Sequence, residues 1–445
     1  MLLFSALVLN ASEVIYSKPI TLDDAIEILK SNNLEIKAAR LDIKAQDAQT
    51  DSVSGTQWGK LDFVQDFANS DDAGNVFGFK LTSREATFND FGFEDFGKIT
   101  NDTPPQALNN PDAKSFFQSK LKYEIPLFTG FKISSYIDIM NSMTKMKKLE
   151  KTQVINEKIY QTRKSFYDMA LLRSSTKNLN KILDNIATLE NTTQQMIEVG
   201  YAKKVDLLEV QAKKGNVKRL ILQMESNEKL LYHYISFLLN EKVTTILTPD
   251  TDVDMPIFTD EDVLSNNIDI KRATTGLEVR KSMLDVSKSS YYPTIGAFGE
   301  IATADESFLG DANDHKAYTI GARLTWNIFN GGIDDAKIEK SKIEQMKTNT
   351  QVLLAKKGIA LKVAKIRTEI GTYDEQIDSL KKELKLADAI YKNYEGRYRE
   401  KLSSMSDVII KQSQQIQKIL ELQMAQNKRN ERIFALEKLA NGERK

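Results

Sequence analysis

Two hydrophobic periods alternate along the chain, and the alternation occurs twice. Leu121, Tyr123, Ile125 and Leu127 interleave with Lys120, Lys122 and Glu124, while Tyr318, Ile320, Ala322, Leu324, Trp326 and Ile328 interleave with Thr319, Gly321, Arg323, Thr325 and Asn327. A period of two predicts strands with one apolar and one polar face. Weaker candidates for the preceding strands are 61–67 and 295–301, and Phe77, Phe79 and Leu81 mark another candidate segment. Downstream, Val363, Ile366, Ile370, Tyr373, Ile377, Leu380, Leu384, Ala387, Tyr391, Tyr394 and Tyr398 step by three and four, the seam of a coiled coil. Leu179, Ile182, Ile186, Leu189, Thr193 and Met196 do the same earlier in the chain. A helix over 133–199 extends roughly 100 Å at 1.5 Å per residue, so it needs other long helices beside it. Helices over 205–239 and 407–440 supply antiparallel partners.

The two passages are copies. Tyr123-Glu124-Ile125-Pro126-Leu127-Phe128-Thr129-Gly130 answers to Leu324-Thr325-Trp326-Asn327-Ile328-Phe329-Asn330-Gly331, and the same offset of 201 pairs Asp206 with Asp407, Gln211 with Gln412, Leu238 with Leu439 and Asn240 with Asn441. Thr21, with Asp23 and Asp24 behind it, opens a helix expected to run over 21–53. Its copy, over 260–290, contains Asn267-Ile268-Asp269-Ile270-Lys271, which matches Asn33-Leu34-Glu35-Ile36-Lys37 at an offset of 234. The change from 201 to 234 places a 33-residue insertion between Phe63 and Lys120. The expected organisation is a signal peptide or remnant at 1–12, a first repeat at 13–242 with its strand region at 60–129, a linker at 243–259, and a second repeat at 260–445. In the second repeat the strand region is 294–329, and the long helices are 333–398 and 407–440.

Four strands in two separated hairpins make a poor independent sheet, because short ribbons are marginal and leave their edges open. If three chains contribute four strands each, 3 × 4 = 12 closes a transmembrane barrel with the apolar face toward lipid. The fold class is therefore mainly α with membrane β, a duplicated helix, β-hairpin and helix unit. The insertion carries Phe88, Phe91, Phe93 and Phe96, then Pro104-Pro105. It reads as an outer loop with aromatic contacts at a barrel rim, or as a disordered aromatic loop.

Composition narrows the function. The 62 basic and 62 acidic residues cancel, so no global field recruits nucleic acid. The absence of cysteine removes disulfides, thiolate metal sites and cysteine nucleophiles. Leu2–Leu9 followed by Asn10-Ala11-Ser12 reads as a secretory h-region and cleavage site. A basic n-region is missing, which leaves a late start codon or a merely apolar N-terminus as alternatives. No other apolar run is long enough for a membrane-spanning helix.

With these elements in order, the sequence resembles the TolC family of outer-membrane efflux proteins over nearly the whole mature chain. The resemblance rests on the duplicated unit, Tyr291-Tyr292-Pro293-Thr294 before one strand, Pro126-Leu127-Phe128-Thr129-Gly130 and Ile328-Phe329-Asn330-Gly331-Gly332 after the strands, and Val199-Gly200-Tyr201 before Asp206-Leu207-Leu208. It implies a homotrimeric channel in the outer membrane of a Gram-negative bacterium, with a twelve-stranded barrel and a long periplasmic tunnel. The tunnel opens on docking with a periplasmic adaptor and an inner-membrane pump of RND or ABC type. Cargo leaves by efflux or type I secretion, without chemistry and without a cofactor.

By the same resemblance, Asp206 bonds Tyr398 to hold the tunnel shut, and three copies of Asp407 form a carboxylate ring that favours cations and raises their pKa. The family's constriction arginine corresponds to Ser403 and its second acidic ring to Ile410, which makes this gate less polar. The adaptor-contacting element is Val199, Gly200 and Tyr201 in the first copy and Glu400, Lys401 and Leu402 in the second, so docking is expected to be asymmetric. Plainer roles remain open: Asp206 and Asp407 could cap helices, Tyr398 could simply pack, and Lys203 and Lys204 could be a solvated turn.

Other chemistry finds little support. His233 and His315 fall in a helix and a loop, so no metal or catalytic pair is expected, and Met140, Met143 and Met146 read as packing before soft-metal handling. No phosphate-cradling glycine loop occurs, so energy must come from a partner. An envelope coiled coil or adhesin without a pore explains the heptads but leaves the amphipathic hairpins unused, and no convergent catalytic set supports an enzyme.

Overall fold

The computed structural model describes residues 19–98, 100, 102–250, 252–308 and 315–441. The expected signal segment at 1–12 lies outside them. In chain order the elements are α1 (Leu22–Asn32), α2 (Leu34–Gly55), β1 (Lys60–Ser70), α3 (Ala73–Thr82), α4 (Gln106–Asn109), β2 (Lys114–Phe128), α5 (Lys132–Glu198), α6 (Lys204–Leu239), α7 (Asp260–Asn266), α8 (Ile268–Lys288), β3 (Thr294–Asp305), β4 (Lys316–Thr325), α9 (Ile333–Arg399) and α10 (Met405–Ala440). They divide into two compact units, each built from both repeats: one comprises Met1–Lys44, Lys145–Thr275 and Asn349–Lys445, the other Ala45–Thr144 and Gly276–Thr348.

In the first unit the heptad seam is the core. Leu179, Ile182, Ile186 and Leu189 of α5 pack with Val210, Val217 and Ile221 of α6, and with Tyr391, Tyr398, Met405, Val408 and Ile416 of α9 and α10. Further along the same helices, Val363, Ile366 and Ile370 close over Ile433, Phe434, Leu436 and Leu439. Arg163 Nη1 reaches Glu437 Oε2 at 2.7 Å, joining α5 to α10 through a carboxylate only 2% exposed. Asn240 and Asn441 end α6 and α10 at φ +51°, a left-handed cap that asparagine tolerates better than most residues.

The helix expected over 21–53 is two helices, divided at Asn33. The side chain of Asn33 replaces the helical ladder there: its amide donates to Leu238 O at 2.7 Å, and its carbonyl accepts the Glu35 and Ile36 N–H groups at 3.0 and 3.1 Å. The second copy divides in the same way at Asn267, between α7 and α8. At the start, Thr21 caps the helix as the sequence suggested, and Asp24 returns the bond to complete a reciprocal box.

The second unit holds one antiparallel sheet in the order β1-β2-β3-β4, with β1 and β4 as its edges. Phe77, Phe79 and Leu81, read above as a candidate strand, lie in helix α3 instead. Asp72 decides this by capping the helix, its carboxylate accepting the Asn75 N–H at 3.1 Å, and Phe79 then stacks on Phe116 at 4.4 Å between ring centroids. Glycine is required at position 59, where φ is +71° and a Cβ would stand 1.9 Å from Glu124 O.

Candidate functional site

The register of the sheet sorts its side chains into two opposed faces. Leu61 pairs with Tyr123 and Phe63 with Leu121; Leu121 pairs with Ile301 and Ile125 with Ala297; Ile301 pairs with Tyr318, Gly299 with Ile320, Ala297 with Ala322 and Ile295 with Leu324. Residues paired across a ladder point to the same side, so these form one apolar face crossing all four strands. It is uncovered in the single chain, with Tyr318 78% and Ile320 80% exposed. Leu127, past a register shift between Pro126 and Phe128, is exposed as well.

The opposite face is charged. Lys60 pairs with Glu124 across β1 and β2, and Asp62 with Lys122, which in turn pairs with Glu300. Arg323 lies opposite Gly296. Ion pairs stud this face: Lys60 to Asp62 at 2.8 Å, Lys122 to Glu124 at 2.5 Å and Lys120 to Asp66 at 3.0 Å. A sheet with one uncovered greasy face, one ionic face and two open edges suits a wall between hydrocarbon and water.

Two of the expected strand positions fall outside it. Trp326 and Ile328 lie beyond the end of β4 at Thr325, because Thr294 is the first residue of β3 and leaves nothing for them to pair with. Trp326 instead donates its indole N–H to Tyr291 O at 3.2 Å. Sequence reading also missed the first third of β2. Lys114–Ser119 pairs with Gln65–Ser70, but Phe116 and Phe117 are adjacent and break the alternation that would have revealed it.

The other candidate residues lie at the two turns between long helices. In each turn two backbone bonds close the end of the first helix: Gly200 N–H donates to Ile197 O and Tyr201 N–H to Met196 O, and likewise Lys401 N–H to Tyr398 O and Leu402 N–H to Arg397 O. This closure demands a left-handed residue. Gly200 supplies it at φ +79° and Lys401 at φ +67°, so the second copy has kept the backbone while losing the glycine. The Lys401 ammonium sits 3.1 Å from the centroid of the Tyr201 ring, which brings the two turns together. Val199, Tyr201 and Leu402 are exposed apolar side chains, and Glu400 is exposed beside them.

Around the expected gate, Tyr398 is buried and its hydroxyl faces Thr193 Oγ1 at 3.4 Å. Burial, reinforced by the Asp206 charge and opposed by the Thr193 bond, pushes the phenol above its ordinary range. Within the single chain the Asp206 carboxylate accepts the Lys203 N–H at 2.7 Å, so it caps α6 while acting on Tyr398 through its field. Asp407 is the matching cap of α10: it accepts the Ser404 hydroxyl at 2.6 Å, the Ser404 N–H at 3.2 Å and the Ser403 hydroxyl at 3.3 Å. The Ser404 bonds hold its pKa below the usual carboxylate range, the opposite sense to the repulsion expected of a ring of three. Ile410 is exposed one turn further along α10.

Residues 261–442 match the family described as outer membrane efflux protein. No match appears among curated proteins. The fold is similar to that of CusC, a protein whose conformational changes accompany folding and transmembrane channel formation, with TM-score 0.79 and 14% identity over 95% of this chain and 92% of that one. It is also similar to the outer-membrane channel OprN, with TM-score 0.78 and 14% identity over 95% and 90% of the two chains. The outer membrane protein VceC of Vibrio cholerae gives TM-score 0.76 and 13% identity over 95% and 96%.

Proposed function

We propose that this chain, whose residues 261–442 match the outer membrane efflux protein family, closes a twelve-stranded barrel with two further copies and forms an export conduit worked by other proteins. That match supports an efflux-channel role in the outer membrane without an enzymatic step.

The observation that carries the reading is the uncovered apolar face running across β1 to β4, backed by an ionic face and bounded by two unpaired edges. Open edges recruit strands, and 3 × 4 = 12 strands leave none unpaired. Leu222, Leu230 and Phe237 on α6 and Leu353, Leu354 and Leu361 on α9 are exposed in the single chain; neighbouring copies would cover them in a helical tunnel.

Val199, Gly200, Tyr201, Glu400, Lys401 and Leu402 would meet a periplasmic adaptor serving an RND or ABC pump. Exposed apolar side chains at both turns support that assignment. Tyr398, Asp206, Ser403, Asp407 and Ile410 would form the gate, with Ser403 and Ile410 making its constriction less polar than the family pattern. Opening requires the Tyr398 and Lys401 contacts to give way.

The test is conductance of the detergent-purified protein in planar bilayers, with mass measured by light scattering. A trimer that forms pores is expected, and Asp206→Ala combined with Tyr398→Phe should raise its conductance. A water-soluble monomer without pores would overturn the channel reading; pores whose conductance ignores the double substitution would overturn the gate alone.

A further inference from the structure

Beyond the transport reading, we propose that Glu85, Asp305 and His315 form a binding site for a divalent transition-metal ion of the zinc class, tying the 71–113 connection between β1 and β2, which carries the insertion, to the β3–β4 hairpin. One donor atom from each residue lies within 4.8 Å of the others. Glu85 follows the end of α3, Asp305 ends β3, and His315 immediately precedes β4. Three separate segments of the sheet's loop end thus converge, which no sequence motif announces.

The two carboxylates are already engaged in hydrogen bonds. Glu85 Oε2 accepts the Ser83 hydroxyl at 3.0 Å and the Lys114 ammonium at 2.7 Å, leaving Oε1 as its remaining oxygen. Asp305 Oδ1 accepts the Glu306 N–H at 2.6 Å. His315 Nδ1 is buried and has no hydrogen-bond partner among the described residues. A buried imidazole nitrogen without a partner is costly, and a metal ion satisfies it directly.

Charge and donor type select the ion. Lys114 pairs with Glu85 and also with Glu306, and the Asp305 carboxylate stands in the same group as Glu85, so the donors present negative charge to a cation. An imidazole with two carboxylates suits zinc and its neighbours; the absence of sulfur disfavours cuprous ion, and the imidazole disfavours magnesium and calcium. Donors around an ion at about 2.1 Å stand about 3.4 Å apart. Carboxylate and imidazole rotation must therefore draw the three inward, and water would complete the coordination.

The experiment uses the full chain purified in detergent without a polyhistidine tag and stripped with a chelator. Calorimetry and metal analysis should find one Zn2+ per chain and no comparable Mg2+ binding, with affinity falling at least tenfold in His315→Ala and in Glu85→Gln. His233→Ala, the control at the other histidine, should bind like the native chain. Bound Zn2+ should also slow protease cleavage within 83–117. Equal Zn2+ binding by the native and His315→Ala chains overturns the site, Glu85→Gln serving if the first variant does not fold. Binding without protection overturns the tie between the insertion and the hairpin.

Discussion

Asn33 and Asn267 are one joint built twice, each donating its amide to a carbonyl near the end of its repeat's last long helix, Leu238 O at 2.7 Å and Leu439 O at 3.0 Å. The asparagines are 234 positions apart and their partners 201, so the 33-residue insertion enters the first repeat's chain without disturbing the joint. Alanine at either position leaves a buried carbonyl and a helix N–H unpaired. Each substitution should cost about 1–3 kcal/mol, read as a lower helical melting temperature by circular dichroism. An unchanged melt would mean that water replaces the side chain.

The Arg163 and Glu437 pair makes a second energetic prediction. With the carboxylate 2% exposed, Arg163→Ala removes an ionic partner from a group buried among packed helices, at a cost of up to about 3–5 kcal/mol. Replacing both partners together, by Arg163→Met with Glu437→Leu, should cost less than Arg163→Ala alone. Denaturant unfolding of the three variants checks the order, and additive losses would show that the two groups do not depend on each other.

Much of this was readable because period survives in sequence. The seam from Val363 to Tyr398 and the Thr21 cap needed only local spacing, and both exist. Failures occurred where a single tertiary or capping contact outvotes the period. Asn33 ends a helix that its flanking residues would continue, since its partner Leu238 is remote in sequence. Phe77, Phe79 and Leu81 alternate like a strand until the Asp72 cap is seen. Trp326 and Ile328 keep the alternation after β3 has run out. The Glu85, Asp305 and His315 group could not be found by spacing at all, because its members meet only when β3 and β4 pair beside the insertion.

Lys401 offers a test that separates backbone from side chain. Lys401→Ala keeps a non-glycine residue at φ +67° and loses the ammonium over Tyr201, whereas Lys401→Gly loses the same contact but relieves the left-handed conformation. The glycine variant should therefore be more stable than the alanine variant by about 1–2 kcal/mol. If the Tyr201 contact helps hold the turns together, both variants should conduct more than the native channel. Stability would then rank them apart while conductance groups them.

Acid should weaken the α10 cap. Hydrogen bonds from Ser404 lower the folded pKa of Asp407, so the carboxylate's contribution is fully present above the unfolded value near 3.9 and is lost as pH falls through the depressed folded value. Ser404→Ala removes the hydroxyl bond to the carboxylate and also the cap that Ser404 Oγ provides to the Asp407 N–H at 3.1 Å. The second loss does not depend on Asp407 ionisation. The gap in melting temperature between the native chain and Ser404→Ala should accordingly narrow below about pH 4 without closing. In a trimer with three Asp407 side chains around one axis, repulsion would act against the Ser404 bonds and move the narrowing to higher pH. Comparing the titration before and after trimer dissociation in detergent measures that shift, and coincident curves would remove the carboxylate ring from the gate.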